Sequence, residues 1–192
     1  MNTHPDAARW DGRYLDSSRP WLPREPRQLL VDYAHLLPES GLALDAACGV
    51  GANGHFLSQR GLRVIALDIS QVALHMAVQW GREHACPLDA AVYDLSAPWL
   101  PADRFDVILN FHFLERECIP VFRKALKPGG LIYFETFLSP ESDPESHIRY
   151  LEPGELRLIF QDYEIIHYAE NLLADKQNCR EVGMAQLVAH KK

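Results

Sequence analysis

A glycine-rich turn between an apolar run and a helical pattern holds the residues best suited to binding chemistry. The sequence from Leu42 to Leu57 is LALDAACGVGANGHFL, with glycines at positions 49, 51 and 54. Such glycines let the backbone turn tightly and bring bare N–H groups against a ligand, and a helix starting near Asn53 directs its positive end to the same place. Asp68 follows Gly49 by 19 residues, so the spacing alone matches the dinucleotide fingerprint of NAD-binding proteins.

Asp45 changes the ligand that this turn predicts. It precedes Gly49 by four residues, where a dinucleotide-binding strand is normally still apolar. A carboxylate at this place repels a pyrophosphate and favours a ligand that presents positive charge and hydroxyl or ammonium donors. S-adenosylmethionine has these groups, in its sulfonium, its α-ammonium and its ribose diol. The turn therefore predicts S-adenosylmethionine as the cofactor.

The elements around the turn alternate between strand and helix patterns. Four apolar runs, LALDA, RVIALD, DAAVYDL and RFDVILNFHF, predict strands, and QVALHMAVQWGREH between the second and third predicts a helix that Ser70 caps. A helix over ECIPVFRKAL closed by Pro128, Gly129 and Gly130 leads into a fifth strand, LIYFETF. A short helix near GELRLIF and strands near YEIIHYAE and GMAQLVAHK follow. This order predicts an α/β, Rossmann-like doubly wound sheet of seven strands, mostly parallel, with helices on both faces.

Length and composition narrow the function classes. At 192 residues we expect a single domain, which fits an enzyme that works on its nucleotide-binding domain better than a two-domain dehydrogenase. The net charge of −7 argues against nucleic acid as a partner. The sequence has neither an apolar signal core nor a run of about 18 apolar residues, so we expect a cytoplasmic protein without membrane contact. We expect a monomer or a homodimer. The four cysteines form no C-x-x-C pair, so neither a disulfide framework nor a metal site is predicted.

Several motifs together resemble a known family. DAACGVG resembles motif I of the class I methyltransferases, D-x-G-x-G-x-G, with Ala47 in place of the first glycine, and FDVILN and LKPGG follow in that family's order. More narrowly, GANGHFLSQRG, IPVFRKALKPGG, EPGELRLIF and MAQLVAHKK resemble the tellurite-resistance methyltransferases. In that family a segment after the sixth strand that bears histidine and arginine is expected to line the acceptor pocket. Here the corresponding stretch, ENLLADKQNCR, has no histidine.

The resemblance implies a set of cofactor-binding residues. Asp45 and the glycine loop would hold the methionine end, Asp68 would accept the ribose hydroxyls, and Asp94 would meet the adenine amino group with Leu95 against the ring. The expected set is Asp45, Ala47, Gly49, Gly51, Asn53, Asp68, Ile69, Asp94, Leu95 and Asn110. The alternative for Asp68 is a solvated helix cap, and the alternative for Asp94 is an exposed turn acid.

Asn110 and His112 are the candidate catalytic residues. Both lie at the end of the fourth apolar run, where parallel strands end beside a bound ligand. Methyl transfer is an in-line displacement that depends mainly on alignment and exclusion of water, and His112 could take a proton from an acceptor thiol or hydroxyl. The alternative is that His112 only packs within FHFL and bonds to backbone.

Two segments are candidates for covering the site. Trp10 to Trp21 carries aromatic residues, Arg13 and Arg19 among prolines and has little periodicity, which is typical of a flap over a small ligand, although packing against the outer helices fits equally well. The polar stretch from Ser139 to Ser146 follows the fifth strand, where lids form. The expected division is an N-terminal flap and first helix over 1–40, a cofactor-binding core over 41–137, and a C-terminal helix and closing strands over 138–192.

The leading hypothesis is an S-adenosylmethionine-dependent methyltransferase acting on a small molecule, with a thiol, selenium or tellurium species as acceptor. A second hypothesis, an NAD-dependent oxidoreductase, retains the glycine spacing but leaves Asp45, Asp94 and LKPGG unexplained. A third is a protein that binds S-adenosylmethionine without catalysis, since the cofactor motifs do not depend on an intact acceptor pocket.

Overall fold

A mixed sheet of seven strands organises the part of the chain that the computed structural model describes, residues 4–18, 21–22, 24–139, 150–175 and 180–192. The strands are β1 (Gly41–Ala46), β2 (Leu62–Asp68), β3 (Asp89–Val92), β4 (Phe105–Phe111), β5 (Leu126–Phe137), β6 (Glu164–Asp175) and β7 (Arg180–His190). Their order across the sheet is β3-β2-β1-β4-β5-β7-β6. The first five strands are parallel, and β7 is antiparallel to both β5 and β6. The predicted fold is confirmed.

The strand order places the carboxyl ends of β1, β2, β4 and β5 along one edge. The strand order reverses between the parallel neighbours β1 and β4, because β2 and β3 lie on one side of this pair and β5 lies on the other. Ligands of such sheets bind outside the carboxyl ends of the strands at this point. The predicted acids at the ends of β1 and β2, and the polar residues at the end of β4, therefore share this edge.

Helices cover both faces of the sheet because alternate strand residues face opposite cores. They are α1 (Pro5–Leu15), α2 (Gln28–Asp32), α3 (Ala52–Ser58), α4 (Gln71–Glu83), α5 (Cys118–Ala125) and α6 (Glu155–Ile159). Ala43, Val107 and Leu131 pack on the α2 and α3 side, whereas their neighbours in sequence, such as Leu44 and Ile108, pack with α5 and α6. Within the described ranges, no helix is long and apolar enough to cross a bilayer.

Two predicted boundaries are wrong by a few residues. Strand β3 ends at Val92, so Asp94 lies beyond it instead of at its end. Helix α5 ends at Ala125 and β5 starts at Leu126, before the glycines that were expected to close the helix. The reason is long-range pairing with the end of the chain: the Gly129 N–H donates to the Lys191 carbonyl (2.7 Å), and the Lys191 N–H donates to the Gly130 carbonyl (2.9 Å).

Candidate functional site

Two buried carboxylates lie side by side at the ends of β1 and β2. Asp45 accepts a hydrogen bond from the Gly54 N–H at 2.9 Å, at the start of α3. Asp68 accepts from the Gly49 N–H at 2.7 Å and from the Ser70 N–H at 2.9 Å, so its carboxylate braces the glycine loop on one side and the start of α4 on the other. Ser70 caps α4 as predicted, accepting from the Ala73 N–H.

These two acids have no basic partner among the described residues. Burial raises the pKa of Asp45 to about 7, and the neighbouring Asp68 adds to the shift against the lowering effect of the Gly54 N–H. Burial also raises the pKa of Asp68, against the backbone N–H bonds that lower it. In the part of the chain that is described, neither acid forms an ion pair with lysine, arginine or histidine. Unpaired buried carboxylates fit a ligand that brings positive charge and hydroxyl donors.

The glycine loop turns through positive φ angles at Ala47 (+52°), Gly49 (+55°) and Gly51 (+78°). A Cβ at Gly49 would lie 2.6 Å from the hydroxyl oxygen of Tyr14, which covers the loop from the N-terminal side. A Cβ at Gly51 would lie 2.7 Å from Leu88 and 3.0 Å from Ala77. A side chain at Gly51 would therefore strike the packed core under α4.

Other predicted cofactor residues surround the loop at varying distances from its centre. Asn53, the second residue of α3, uses its side-chain oxygen to accept from the Arg27 N–H at 2.8 Å. Ile69 is half-buried between Asp68 and Ser70, and Leu95 is buried in the core with α5. Asp94 is partly exposed, accepts from the Ser96 N–H at 2.8 Å, and lies 3.8 Å from the His4 ring.

The N-terminal segment crosses the whole edge that carries these residues. Beyond the contact of His4 with Asp94, Asp11 accepts from the Ser70 hydroxyl at 2.6 Å and the Val72 N–H at 3.1 Å. The segment is helical from Pro5 to Leu15, so the expected lack of periodicity is wrong; its prolines at 20, 23 and 26 come after the helix. Tyr14 packs against Trp21 next to the loop, with ring centroids 4.6 Å apart and ring planes tilted by 53°. Arg19 and residues 140–146 of the predicted lid, which starts at Ser139, lie outside the described residues.

A second polar cluster lies at the ends of β4 and β5, on buried Glu135. Oε1 of Glu135 accepts from Arg27, from Nε at 2.9 Å and Nη2 at 2.6 Å, and lies 3.1 Å from Nε2 of His112. Oε2 accepts from the side-chain amide of Gln186 at 2.7 Å. Burial alone would raise the pKa of Glu135, but the bonds from His112, Arg27 and Gln186 outweigh it and hold that pKa at about 2.

Asn110 and His112, the two candidate catalytic residues, have different hydrogen-bond partners. Asn110 is buried and its amide donates to the Phe113 carbonyl at 2.8 Å, so it braces the turn after β4. His112 has a left-handed backbone (φ +58°) and joins the Glu135 cluster instead. Sequence reasoning missed Arg27, Glu135 and Gln186; a glutamate inside the apolar strand LIYFETF was the one available signal.

Comparison with family models matches residues 43–130 to a methyltransferase domain. The match spans the strands β1 to β4, the glycine loop and both buried acids. The crystal structure of TehB from Haemophilus influenzae superposes with a TM-score of 0.74 at 24% identity, covering 85% of this chain and 61% of that one. These matches confirm the predicted resemblance to the class I S-adenosylmethionine-dependent methyltransferases.

Two curated proteins are similar to this chain over part of their length. Hemagglutinin 1 of Eikenella corrodens is 31% identical over 137 residues, covering 66% of this chain and 45% of that protein. The probable S-adenosyl-L-methionine-dependent methyltransferase TehB of Haemophilus influenzae is 26% identical over 153 residues, covering 74% of this chain and 52% of that protein. The chain spans about half the length of these relatives.

Proposed function

We propose that the protein transfers a methyl group from S-adenosylmethionine to a small-molecule acceptor with a soft nucleophile, a thiol or a selenium or tellurium species. The observation that carries this proposal is the pair of buried acids, Asp45 and Asp68, beside a glycine loop and without a basic partner among the described residues. S-adenosylmethionine supplies an electrophilic methyl group on a sulfonium, together with the ammonium and hydroxyl donors that these carboxylates lack.

The proposed cofactor site uses the loop and the ends of three strands. Asp45 would face the methionine end, with Ala47, Gly49 and Gly51 shaping the loop beneath it. Asp68 would accept the ribose hydroxyls with the lone pairs not used by the Gly49 and Ser70 N–H groups. Asp94 would accept from the adenine amino group between Ile69 and Leu95. Asn53 and Asn110 would contribute to this site mainly through hydrogen bonds that fix the backbone around it, to the Arg27 N–H and the Phe113 carbonyl.

Asp45 disfavours the alternative cofactor. A dinucleotide would bring its pyrophosphate over a loop that this buried carboxylate flanks, and like charges in such surroundings repel each other. The NAD-dependent hypothesis therefore leaves the most unusual feature of the site without a role.

The acceptor side of the proposal centres on His112. Its side chain is 36% exposed at the end of β4, next to the loop, whereas Glu135 behind it is 2% exposed. A soft nucleophile bound here would lose its proton to this imidazole and then attack the methyl carbon as the carbon–sulfonium bond breaks. The electron pair of that bond stays on the departing sulfur, so no redox partner is needed.

The Asp68→Asn variant tests the cofactor site. We expect the affinity for S-adenosylhomocysteine, measured by calorimetry, to fall tens- to several-hundred-fold, because hydrogen bonds to a charged group are worth about 1.5–3 kcal/mol each. Asp89→Asn is the matched control, an acid on β3 that pairs with Arg63 and has a side chain 53% exposed. Equal affinity in folded Asp68→Asn and wild type would remove Asp68 from the site.

A turnover assay separates the enzyme from a protein that only binds the cofactor. Wild type incubated with S-adenosylmethionine and an alkyl thiol, selenol or tellurite should release S-adenosylhomocysteine. Tight cofactor binding with no release in the presence of any of these acceptors would contradict the proposed acceptor class while leaving the cofactor site intact.

A further inference from the structure

The guanidinium of Arg27 is held in place along one edge. Its Nε and Nη2 both donate to Oε1 of Glu135, at 2.9 and 2.6 Å, and Nη2 also contacts Nε2 of His112. The Arg27 backbone N–H donates to the side-chain oxygen of Asn53 at 2.8 Å, in the first turn of α3. These contacts fix the guanidinium between the start of α3 and the candidate acceptor position at His112.

Nη1 is the part of this guanidinium that the protein leaves unused. No group in the described part of the chain accepts a hydrogen bond from it, and it is not buried. The Arg27 side chain is 33% exposed, whereas the Glu135 side chain behind it is 2% exposed. A molecule that enters from solvent therefore meets the Nη1 donors of Arg27 and not the carboxylate. Glu135 balances the charge of Arg27, so this residue offers a fixed direction more than net charge.

Arg24 adds a positive charge without a counter-ion. It is exposed, and within the described residues it forms no ion pair. Its guanidinium carbon lies 5.4 Å from the centroid of the Trp21 ring, a cation–π contact that restricts where the side chain lies. The Trp21 ring is itself fixed, because its Nε1 donates to the Arg13 carbonyl at 3.2 Å.

The charges around Arg24 are ones that an anion would relieve. Burial of part of the side chain lowers the pKa of Arg24, and the positive charges of Arg27 and Arg13 lower it further. Tyr14 acts in the opposite direction, but burial raises the pKa of its own hydroxyl well above the ordinary value, so Tyr14 stays neutral. Positive groups collected without a balancing carboxylate attract a negatively charged ligand.

We infer that Arg24 and Arg27 bind a carboxylate on the methyl acceptor, which is then a thiol, selenol or tellurol that carries an acid group. The inference rests on the proposed function and narrows its acceptor class. Nη1 of Arg27 would donate to the carboxylate in a fixed direction, and Arg24 would supply the charge that no protein group balances. Hydrogen bonds to a carboxylate are stronger than those to a neutral oxygen, so the site discriminates by charge.

Three thiols with the same two-carbon spacer test the inference, because only the charge at their far end differs. That end is a carboxylate in 3-mercaptopropionate, a hydroxyl in 2-mercaptoethanol and an ammonium in cysteamine. We expect Arg24→Gln to lower kcat/KM for 3-mercaptopropionate roughly tenfold more than for 2-mercaptoethanol, and to raise it for cysteamine. Comparing variant with wild type on the same thiol cancels the different reactivities of the thiols. Arg27→Lys, which keeps a charge beside Glu135 but has no Nη1, should show the same selective loss.

Arg63→Gln is the matched control. It removes the same charge near the start of β2, at the opposite end of the sheet, from a side chain that is 72% exposed and pairs with Asp89. It should leave the ratio between the three thiols unchanged. Equal losses with 3-mercaptopropionate and 2-mercaptoethanol in both Arg24→Gln and Arg27→Lys would overturn the inference and leave the proposed methyl transfer standing. If Arg27→Lys does not fold, Arg24→Gln decides alone.

Nitrogen-15 NMR of the arginine Nε–H groups detects the carboxylate without turnover. With the two signals assigned by their loss in Arg24→Gln and Arg27→Lys, 3-mercaptopropionate added to the ligand-free protein should shift both, and 2-mercaptoethanol should shift neither. If wild type methylates none of the three thiols, these shifts would still establish the carboxylate site, and the error would lie in the proposed function. Signals unmoved by 3-mercaptopropionate, or moved equally by both thiols, would contradict the site.

Discussion

Asp45 makes binding of the cofactor depend on pH. Its pKa of about 7 in the folded protein, caused first by burial, means that below neutral pH the carboxyl is largely protonated. A cationic ligand needs the ionised form, so we expect the affinity for S-adenosylmethionine to rise about tenfold from pH 6 to pH 8 and to level off above that. Calorimetry across this range checks the expectation, and Asp45→Asn should show a flat profile. A flat profile in wild type would contradict the account of Asp45.

The same residue should lower the stability of the ligand-free protein. Because its pKa is raised from the ordinary 3.8, the folded state retains a proton that the unfolded chain releases, so the free energy of unfolding falls from about pH 4 to pH 7. We expect Asp45→Asn to be more stable than wild type at pH 8 by roughly 1–3 kcal/mol, since one pKa unit corresponds to about 1.4 kcal/mol. Urea unfolding at pH 5 and pH 8 measures the difference, which should shrink at the lower pH; an Asp45→Asn variant less stable at both values would count against it.

Individual residues were predictable from the sequence where one contiguous motif carries them. Asp45 and Asp68 lie at the ends of strands that local patterns predict, and the structure places both beside the glycine loop. Arg27 and Glu135 are 108 positions apart, and their contact depends on how the N-terminal segment crosses the sheet. Gly51 shows a different limit of prediction from sequence. The spacing of glycines indicates a tight turn, but it does not show which neighbouring residues a side chain at this position would contact.

The N-terminal segment is the element in which the structure differs most from the prediction made from the sequence. Its helix α1 lies against α4 and the glycine loop, with Tyr14 and Trp21 buried there. We expect S-adenosylhomocysteine to slow hydrogen exchange further in α1, because the ligand would lie beneath this helix and stabilise the closed arrangement. Exchange equal with and without ligand would mean that α1 is ordinary packing.

Variants in α1 separate docking of the helix from its folding. Asp11→Ala removes the acceptor for Ser70 and Val72 and should speed exchange in α1 and weaken cofactor retention severalfold. Asp6→Ala is the control, an acid in the same helix that is half-exposed and pairs only with Arg9 in the described structure. Equal effects of the two changes would show that the contact with α4 has no special role.

Elements with clear periodicity were predicted well, and those set by distant pairing were not. The alternation of strands and helices from Gly41 to Phe111 follows local patterns and agrees with the sheet order. The early start of β5 depends on pairing of residues 129 and 130 with Lys191, which no local pattern encodes. Helix α1 lies in a segment that was predicted to be an irregular flap, because the prolines that follow the helix are not compatible with a longer helix.

At the scale of the whole molecule, one edge of the sheet carries two groups of buried carboxylates whose surroundings differ. Two buried acids that have no basic partner in the described part of the chain lie at the ends of β1 and β2, and a buried carboxylate surrounded by donors lies at the end of β5. The first suits a cationic cofactor and the second holds a half-exposed histidine beside it. The net charge of −7 agrees with a small-molecule acceptor and not with a phosphate backbone.

The most direct test of this account compares three ligands on the unmodified protein. Thermal unfolding is followed with S-adenosylmethionine, S-adenosylhomocysteine and NAD at equal concentration. A ligand present at 100 times its dissociation constant stabilises the folded state by about 2.7 kcal/mol, which gives a clear shift in Tm. The account predicts a shift with both S-adenosyl compounds and none with NAD. A shift with NAD alone would contradict it.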